Sequence, residues 1–490
     1  MLTPTDDTPF VLGGRLSRRP NVRTLAAIGM VLAVVAIPLR GLFLSTGSSM
    51  EEGFMLAFPQ RILEGDVPNV DFLHLYGPFS LHVLAGWYWL FGDTLEAQRV
   101  FGLLQHLGII FALFTLARAW GRRTAVITAV TVTLLVLTPI GLSALAWEGA
   151  VALGLWSVVC GVRALHTEGR SRRNALIATG LLVGFALGYR PDLVLALGLV
   201  HGVLLWKGRA ARTWRPAALG LAVGAIPMLA HFAIAGIGPS LRGMFVEPVF
   251  ELRPGRELPS PPGWNQIDGA LQAVAEGPLD APWWRFPSPS ASQQLFLWFF
   301  VVIIVAIALP LLAWRITRRA EANGGALPRH LVLLAGSLFG LGMLPQALQR
   351  PDSTHLAWGS CVSFALLPCL LVELVPRVRP RLTRHAWLVA GAAVAVVMFV
   401  VNPFFTYRYY LLQSRISVGN KPGGFEVANG DRRFYFGNQA LQAASQAMID
   451  DLARLSEPGD RLLVGPADLS RTIYSDAAFY YMFPEPTRPY

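Results

Sequence analysis

Residues 48–99 read SSMEEGFMLAFPQRILEGDVPNVDFLHLYGPFSLHVLAGWYWLFGDTLEAQR and lie between two apolar stretches, residues 24–44 and 97–117. Each apolar stretch has about the 20 residues that a helix needs to cross a bilayer. The acids Glu51 and Glu52 follow directly after the first of them. The quoted segment is therefore predicted to be a polar loop at a membrane surface, with its acidic residues at the boundary between lipid and water.

The composition of the whole chain points to the same environment. Of the 490 residues, 53% are hydrophobic and 14% are charged, against about 25% charged in soluble domains. An ordinary soluble enzyme is excluded, and a polytopic membrane protein is favoured. The net charge of +11 does not predict a nucleic-acid partner, because the basic residues punctuate the apolar stretches instead of forming one face. Cys160, Cys361 and Cys369 lie in apolar runs, with no metal-binding or disulfide spacing.

Apolar stretches recur along the chain and predict about eleven transmembrane helices in an all-α bundle. They are residues 24–44, 97–117, 124–142, 146–165, 174–188, 193–206, 216–236, 295–314, 330–348, 355–375 and 386–402. Residues 174–188 and 193–206 are short, and we interpret them as two spans that meet at a polar elbow, residues 189–192.

More than half of the basic residues fall in six short segments that alternate with the spans. Cytoplasmic loops retain Lys and Arg, so this pattern predicts a multi-pass cell-membrane protein with its N-terminus in the cytoplasm and its C-terminus outside. The first span is long enough for an uncleaved anchor rather than a signal peptide. We predict a cytoplasmic segment 1–23, a transmembrane domain 24–402 and an extracytoplasmic segment 403–490.

The long outer segments are where function is expected. Residues 45–96 are predicted to form a first outer loop with two interfacial helices, because Phe54, Phe58 and Ile62 recur at helical spacing. Proline-rich residues 237–294, with Trp264, Trp283 and Trp284, predict an irregular loop on the membrane surface.

The C-terminal segment carries a different pattern. Residues 439–455 predict an amphipathic helix, and residues 461–464 predict a short strand. The segment is thus expected to be a small α/β appendage.

Glu51 and Glu52 are the first candidates for chemistry. Removing a carboxylate from water beside the hydrocarbon core of a bilayer disfavours its charged form and therefore raises its pKa. A carboxylate with a raised pKa suits a group that must accept a proton. The alternative interpretation is that both acids are merely solvated residues at the end of a span.

Two further segments share a pattern: Arg190-Pro191-Asp192 in the elbow, and Arg350 to His355 between the ninth and tenth spans. Each places an arginine at the predicted level of the outer lipid headgroups, where a guanidinium can hold a phosphate bidentately. The alternative is an interfacial or purely structural Arg–Asp pair. Glu148, at the start of the fourth span, could pair with an arginine of the elbow, and Arg99 and His106, at the start of the second span, could be packing or interfacial residues. None of the three is assigned a role.

The opening loop carries a wider motif. Its members are Glu51-Glu52-Gly53-Phe54, residues 61–68, Asp71-Phe72, His74, Tyr76-Gly77-Pro78, Leu90-Phe91-Gly92 and Arg99. This pattern resembles the first outer loop of GT-C glycosyltransferases, in the bacterial branch related to protein mannosyltransferases and aminoarabinose transferases. The resemblance extends to about residue 210 and returns at Arg350 to His355. The tail, which resembles the family's, stops at Tyr490, and this favours a truncated end.

The resemblance implies an inverting transfer from a polyprenyl-phosphate sugar to an acceptor hydroxyl of a glycan, lipid or protein. In the family the loop opens with Asp-Glu and the first acid is the base; the matching residue here is Glu51, one methylene longer, with Glu52 on the second acid. Substrate binding is expected at the matching polar residues Asp71, His74, Tyr76, Arg190, Asp192, Arg350, Asp352 and His355. No metal site and no cofactor are assigned, although Asp71 and His74 could contribute to a divalent-ion site.

Two other functions fit parts of the pattern. A transporter or flippase for lipid-linked glycans would also use outward arginines and a lipid groove, but it predicts polar residues along a path through the bilayer. A non-catalytic protein that binds glycolipid is the other alternative, and substitution of the acids would distinguish it from an enzyme.

Overall fold

The computed structural model describes residues 22–208, 214–254, 257–267, 289–325, 328–457, 460, 462–465 and 476–483. Residues 1–21, the Trp283–Trp284 pair and the end of the tail from residue 484, all discussed above, lie outside the described residues. The described chain is a bundle of helices with one small antiparallel sheet near its C-terminal end.

The first half of the chain supplies one side of the bundle and the first loop. Its helices are α1 (Val22–Ala36), α2 (Leu39–Phe43), α3 (Glu51–Leu63), α4 (Phe79–Phe91), α5 (Leu95–Ala117), α6 (Arg122–Ile140), α7 (Ala146–Leu165), α8 (Gly169–Tyr189), α9 (Val194–Lys207) and α10 (Trp214–Ala235). Short 3₁₀ turns lie at Arg118–Trp120 and Pro191–Leu193.

The second half adds the remaining spans and the C-terminal segment. Its elements are α11 (Ile237–Leu241), the π-helix π1 (Arg242–Glu251), α12 (Ala291–Ala322), α13 (Pro328–Gly342), α14 (Leu344–Gln349), α15 (Ser353–Val378), a 3₁₀ turn (Pro380–His385), α16 (Ala386–Val401), π2 (Phe404–Arg408), α17 (Tyr409–Ser417), β1 (Phe425–Asn429), β2 (Arg432–Phe436), α18 (Gln439–Leu455) and α19 (Ala478–Met482).

Every apolar stretch predicted from the sequence falls on helix, but the count of eleven spans is not confirmed. Within the described residues, seven helices are long and apolar enough to cross a membrane. The stretch 24–44 is divided between α1 and α2 at Pro38, and the stretch 330–348 is divided between α13 and α14. Large apolar side chains remain exposed on the outside of the bundle, as on α10, where Leu229 is 58% and Ile234 is 71% exposed. The chain is thus a multi-pass membrane protein.

Close backbone packing holds the elbow helices in place. A Cβ on Gly180 of α8 would lie 1.9 Å from the Ala217 carbonyl oxygen of α10, and one on Gly184 would lie 2.6 Å from the Gly224 carbonyl carbon. Small residues four apart allow membrane helices to approach this closely. The centre of the bundle is filled by fully buried aromatic side chains, among them Trp147 and Trp298. The end of the bundle that carries residues 45–94 and 237–267 is called the loop end below.

The loop end differs in part from the sequence prediction. The two helices expected in the first outer loop are present as α3 and α4. Residues 237–251, expected to be irregular, are helical, which corrects that prediction for the first part of the long loop. Gly236, with φ of +85°, ends α10 and lets the chain turn. Met244 is then buried against the bundle. Its burial stabilises a helix in a segment whose prolines had predicted irregular backbone.

The C-terminal segment contains the predicted helix but a different sheet. α18 spans Gln439–Leu455 as expected. The strand predicted at 461–464 is wrong for its described residues 462–464, where the Val464 N–H donates to the Tyr480 hydroxyl instead of a strand partner. The sheet is the hairpin β1–β2, paired from Phe425↔Phe436 to Asn429↔Arg432. The sequence indicated this hairpin by Asn429-Gly430, because Asn-Gly between two strands of alternating hydrophobic residues favours a tight turn. Gly430 has the positive φ, +62°, that such a turn requires.

Candidate active site

Glu51 is the first residue of α3, at the loop end. Its backbone N–H donates to the Ser48 hydroxyl at 3.1 Å, so Ser48 satisfies one of the free N–H groups at the helix start. A carboxylate in the first turn is also stabilised by the positive end of the helix dipole. The Glu51 side chain is half-buried and makes no hydrogen bond or ion pair with another described residue. Its carboxylate is therefore left without a partner within the described part of the chain.

Glu52 has a different environment, because its side chain is 1% exposed and lies against Arg99 of α5. Arg99 Nε and Nη2 donate to the two carboxylate oxygens, each over 2.9 Å, and Nη1 donates to the Phe43 carbonyl at 2.7 Å. Breaking a buried pair of this kind costs about 3–5 kcal/mol. The pair joins α3 to α5 and to the end of α2. The sequence placed Arg99 in the opening-loop motif but gave it no role, since its partner lies 47 residues away in the chain.

Asp71 and His74 do not share one environment. Asp71 is exposed, and its carboxylate accepts the Val67 N–H at 2.7 Å, which closes a turn of the loop. His74 is buried, and its ring meets Tyr76 edge-on with centroids 5.7 Å apart. Burial, with smaller contributions from the nearby His231 and Arg190, lowers the pKa of His74 to about 3. His74 is therefore neutral at physiological pH.

The elbow between α8 and α9 presents a buried arginine. Arg190 donates to both carboxylate oxygens of Asp192, over 2.8 and 2.6 Å, and its guanidinium lies 4.4 Å from the centre of the Tyr76 ring. Gln346 of α14 donates to the same carboxylate. Burial alone would raise the pKa of Asp192, but Arg190 and Gln346 outweigh it and hold the pKa below its usual value.

The second Arg–Asp element lies between α14 and α15. Asp352 caps α15, since its Oδ1 accepts the His355 N–H at 2.8 Å and also lies 2.8 Å from His355 Nδ1. Arg350 Nε is 3.4 Å from the other oxygen, Oδ2. Burial alone would raise the pKa of Asp352, but His355 and Arg350 lower it below its usual value. The His355 ring packs on Trp358, which stacks on Trp147 with centroids 5.0 Å apart.

The two elements line one cavity at the loop end. Its walls include five residues singled out from the sequence: Tyr76, Arg190, Asp192, Arg350 and His355. Sequence reasoning missed the rest of the lining, above all Gln346, Gln349 and Trp358 from α14 and α15, and Met244, Phe245, Pro248, Val249, Arg253 and Glu257 from the long loop. These residues carry no local motif, and only the tertiary fold brings them beside the arginines. Three arginines, Arg190, Arg253 and Arg350, line the cavity together with the rings of Tyr76, Phe245 and Trp358. This arrangement suits a phosphate joined to a ring.

Glu148 connects this cavity with the start of α3. Its side chain is fully buried at the start of α7, and neither carboxylate oxygen has a hydrogen-bond partner among the described residues. It lies within electrostatic reach of both Arg190 and Glu51. Glu148 therefore links the start of α3 electrostatically with Arg190 of the cavity. The catalytic roles of Glu51 and Glu52 and the binding roles of the other residues remain predictions.

The described residues contain no group of three or more His, Cys, Asp or Glu side chains that could hold a metal ion. Asp71 and His74 therefore have no third potential ligand beside them in this part of the chain.

Comparisons with known proteins give a likeness in structure and none in sequence. No protein-family model matches the chain, and no curated protein matches it. A crystal structure of ArnT from Cupriavidus metallidurans in the apo state is similar, with a TM-score of 0.50 and 16% identity over 96% of this chain and 86% of that chain. A second structure of that protein, bound to undecaprenyl phosphate, gives a TM-score of 0.48 at the same identity and coverage. The chain shares the membrane fold of ArnT, and the all-α polytopic fold class predicted from the sequence is confirmed.

Proposed function

We propose that the protein is a membrane glycosyltransferase that moves a sugar from a polyprenyl-phosphate donor to an acceptor hydroxyl, with inversion, at the outer face of the cell membrane. The observation that carries the proposal is the convergence of Arg190 and Arg350, 160 residues apart in sequence, on one cavity at the loop end. The N-terminus lies in the cytoplasm and the C-terminus outside in this proposal, as the distribution of basic residues predicts.

The phosphate of the donor is assigned to the cavity. Arg190 is held by Asp192, and Arg350 is held near Asp352, so both guanidinium groups are oriented before the ligand enters. Tyr76 and Trp358 supply ring faces for the arginine and for the sugar. A hydrogen-bonding group that is oriented in advance in this way stabilises a transition state in which the phosphate gains negative charge by about 3 kcal/mol. The proposal assigns this charge to the arginines and needs no metal ion.

Glu51 is assigned the role of general base. It takes the proton from the acceptor hydroxyl while that oxygen attacks the anomeric carbon on the face opposite the phosphate. The bond between the anomeric carbon and the phosphate oxygen breaks, and the polyprenyl phosphate leaves with the electron pair toward the arginines. Glu52, which is buried against Arg99, fixes the start of α3 and does not reach the substrate. Asp71 and His74 shape the loop around Tyr76.

The experiment that tests this function uses protein reconstituted in lipid vesicles and a panel of polyprenyl-phosphate sugars. We expect free polyprenyl phosphate to be released from one donor, in step with transfer of its sugar to an acceptor. Movement of the intact donor between leaflets without release would contradict the enzyme and support a transporter. Saturable binding without release or movement would support a non-catalytic glycolipid-binding protein.

A further inference from the structure

The C-terminal segment is not a separate unit, because its apolar core includes side chains from the first loop and from α5. Leu56 of α3 and Leu95 of α5 are buried among Phe434, Phe479 and Tyr481 of the C-terminal segment. Leu56 lies one turn after Glu52. The segment therefore packs directly on the helix that begins with the proposed base.

Polar contacts fasten the same segment to the residues just before Glu51. The Ser49 hydroxyl donates to Asp476 Oδ1 at 2.5 Å, and the Ala478 N–H donates to the Ser49 carbonyl at 2.8 Å. The β-hairpin adds a further contact, since the Gly47 N–H donates to the Tyr435 carbonyl at 3.3 Å. The backbone from 47 to 49 is thus bound by two parts of the C-terminal segment.

Gly53 shows how closely the segment approaches α3. A Cβ at this position would lie 2.2 Å from the Ala478 nitrogen and 2.6 Å from the Ala477 carbonyl carbon. Both atoms belong to the backbone, so no side-chain rotation could relieve the contact. Any side chain at residue 53 must push residues 477–478 away from α3.

The far end of α3 is tied to the segment as well. Arg432 of β2 donates to Asp93 Oδ2 at 2.7 Å and to Gln60 Oε1 at 3.3 Å. Gln60 also donates to Asp93 at 2.8 Å. Because α3 is bound near both of its ends, its rotation and its shift along the bundle are restrained together.

We propose that the C-terminal segment positions the proposed base, with Asp476 as a positioning residue and Gly53 as the site that admits residues 477–478 against α3. The inference rests on the role proposed for Glu51. Asp476 acts through Ser49, two residues before Glu51, and touches no reacting atom. Displacement of a reacting group by about 1 Å can reduce a rate about 100-fold, so this contact controls turnover without contributing to donor binding.

The first test compares Gly53→Ala with Gly86→Ala. Gly86 lies in α4 at the same end of the bundle, and a Cβ there would meet no atom within 4 Å. Alanine is the better helix former at both positions, so helix propensity does not separate the two variants. We expect Gly53→Ala to reduce kcat at least about tenfold, with the KM for the donor within about twofold of wild type, and Gly86→Ala to retain wild-type kcat. Equal kcat in both variants would overturn the proposal.

A second pair of variants tests the positioning role of Asp476. It decides the proposal even if Gly53→Ala does not fold. Asp476→Leu removes the acceptor for the Ser49 hydroxyl, whereas Asp476→Asn keeps an acceptor oxygen. We expect kcat to fall in the first and to be largely rescued in the second. Asp451→Leu is the control, because Asp451 is 63% exposed on α18 and pairs only locally with Arg454. Wild-type kcat in Asp476→Leu would contradict the positioning role.

Backbone hydrogen exchange separates failure of this inference from failure of the proposed function. If wild-type protein transfers no sugar from any donor, the proposed function fails, and exchange of the amides of residues 50–54 still decides the positioning role. Faster exchange of these amides in Asp476→Leu than in Asp476→Asn supports the positioning role of Asp476. Equal exchange in wild type and both variants overturns it.

Discussion

Glu51→Gln is expected to reduce kcat for sugar transfer by about 10²–10⁴-fold, the usual contribution of a general base. Glutamine keeps the size of the side chain and the start of α3 but cannot accept the proton of the acceptor hydroxyl. The KM for the donor should change little, because the donor phosphate is assigned to the arginines. Steady-state release of polyprenyl phosphate measures both quantities.

Glu64→Gln is the matched control for this substitution. Glu64 is exposed and follows the last residue of the same helix α3. It should retain wild-type kcat. If Glu51→Gln and Glu64→Gln are both as active as wild type, Glu51 is not the base, and the proposed mechanism is wrong at its first step.

Arg190→Gln is expected to reduce kcat/KM by about 100-fold, which corresponds to about 3 kcal/mol of lost transition-state stabilisation. Arg190 is buried, paired with Asp192 and oriented over Tyr76. Because the position is buried, water does not readily take over the hydrogen bonds that its guanidinium makes to the phosphate. Arg190→Lys should restore only part of the loss, because an ammonium group cannot hold a phosphate with two parallel hydrogen bonds. Initial rates over a range of donor concentrations give both values.

The control for Arg190→Gln is Arg242→Gln. Arg242 lies on π1 at the same end of the bundle and is 63% exposed, with Glu247 and Glu251 as its partners. Its loss should leave kcat/KM within about twofold of wild type, as expected for an exposed ion pair. Equal effects of the two substitutions would show that general positive charge, and not the cavity, attracts the donor.

Local sequence patterns predicted the elements of this fold well. Length and hydrophobicity located the spans and the short apolar helix α4, and helical spacing located α3 and α18, because those features depend on neighbours within a few turns. The hairpin β1–β2 was missed although Asn429-Gly430 marked it. The helical start of the long loop was missed because Pro239 and Pro248 suggested irregular backbone, whereas burial of Met244 stabilises a helix there.

The candidate site was predictable only in part. The two Arg–Asp elements and Tyr76 could be identified from residue type and membrane level, and the structure places them around one cavity. The pairing of Glu52 with Arg99 could not be predicted, because 47 residues separate the partners. The same limit applies to Asp476, which lies 427 residues from Ser49. Contacts at such separations depend on the packing of the whole bundle, and no local pattern encodes them.

The most direct test of the central claim is an experimental structure of the wild-type protein in lipid with bound undecaprenyl phosphate. The account predicts that the phosphate lies in the cavity, with oxygens about 2.8 Å from guanidinium nitrogens of Arg190 and Arg350, and that the lipid tail leaves between helices of the bundle. A phosphate bound elsewhere on the loop end, with Arg190 still paired to Asp192 and Arg350 still near Asp352, would contradict it.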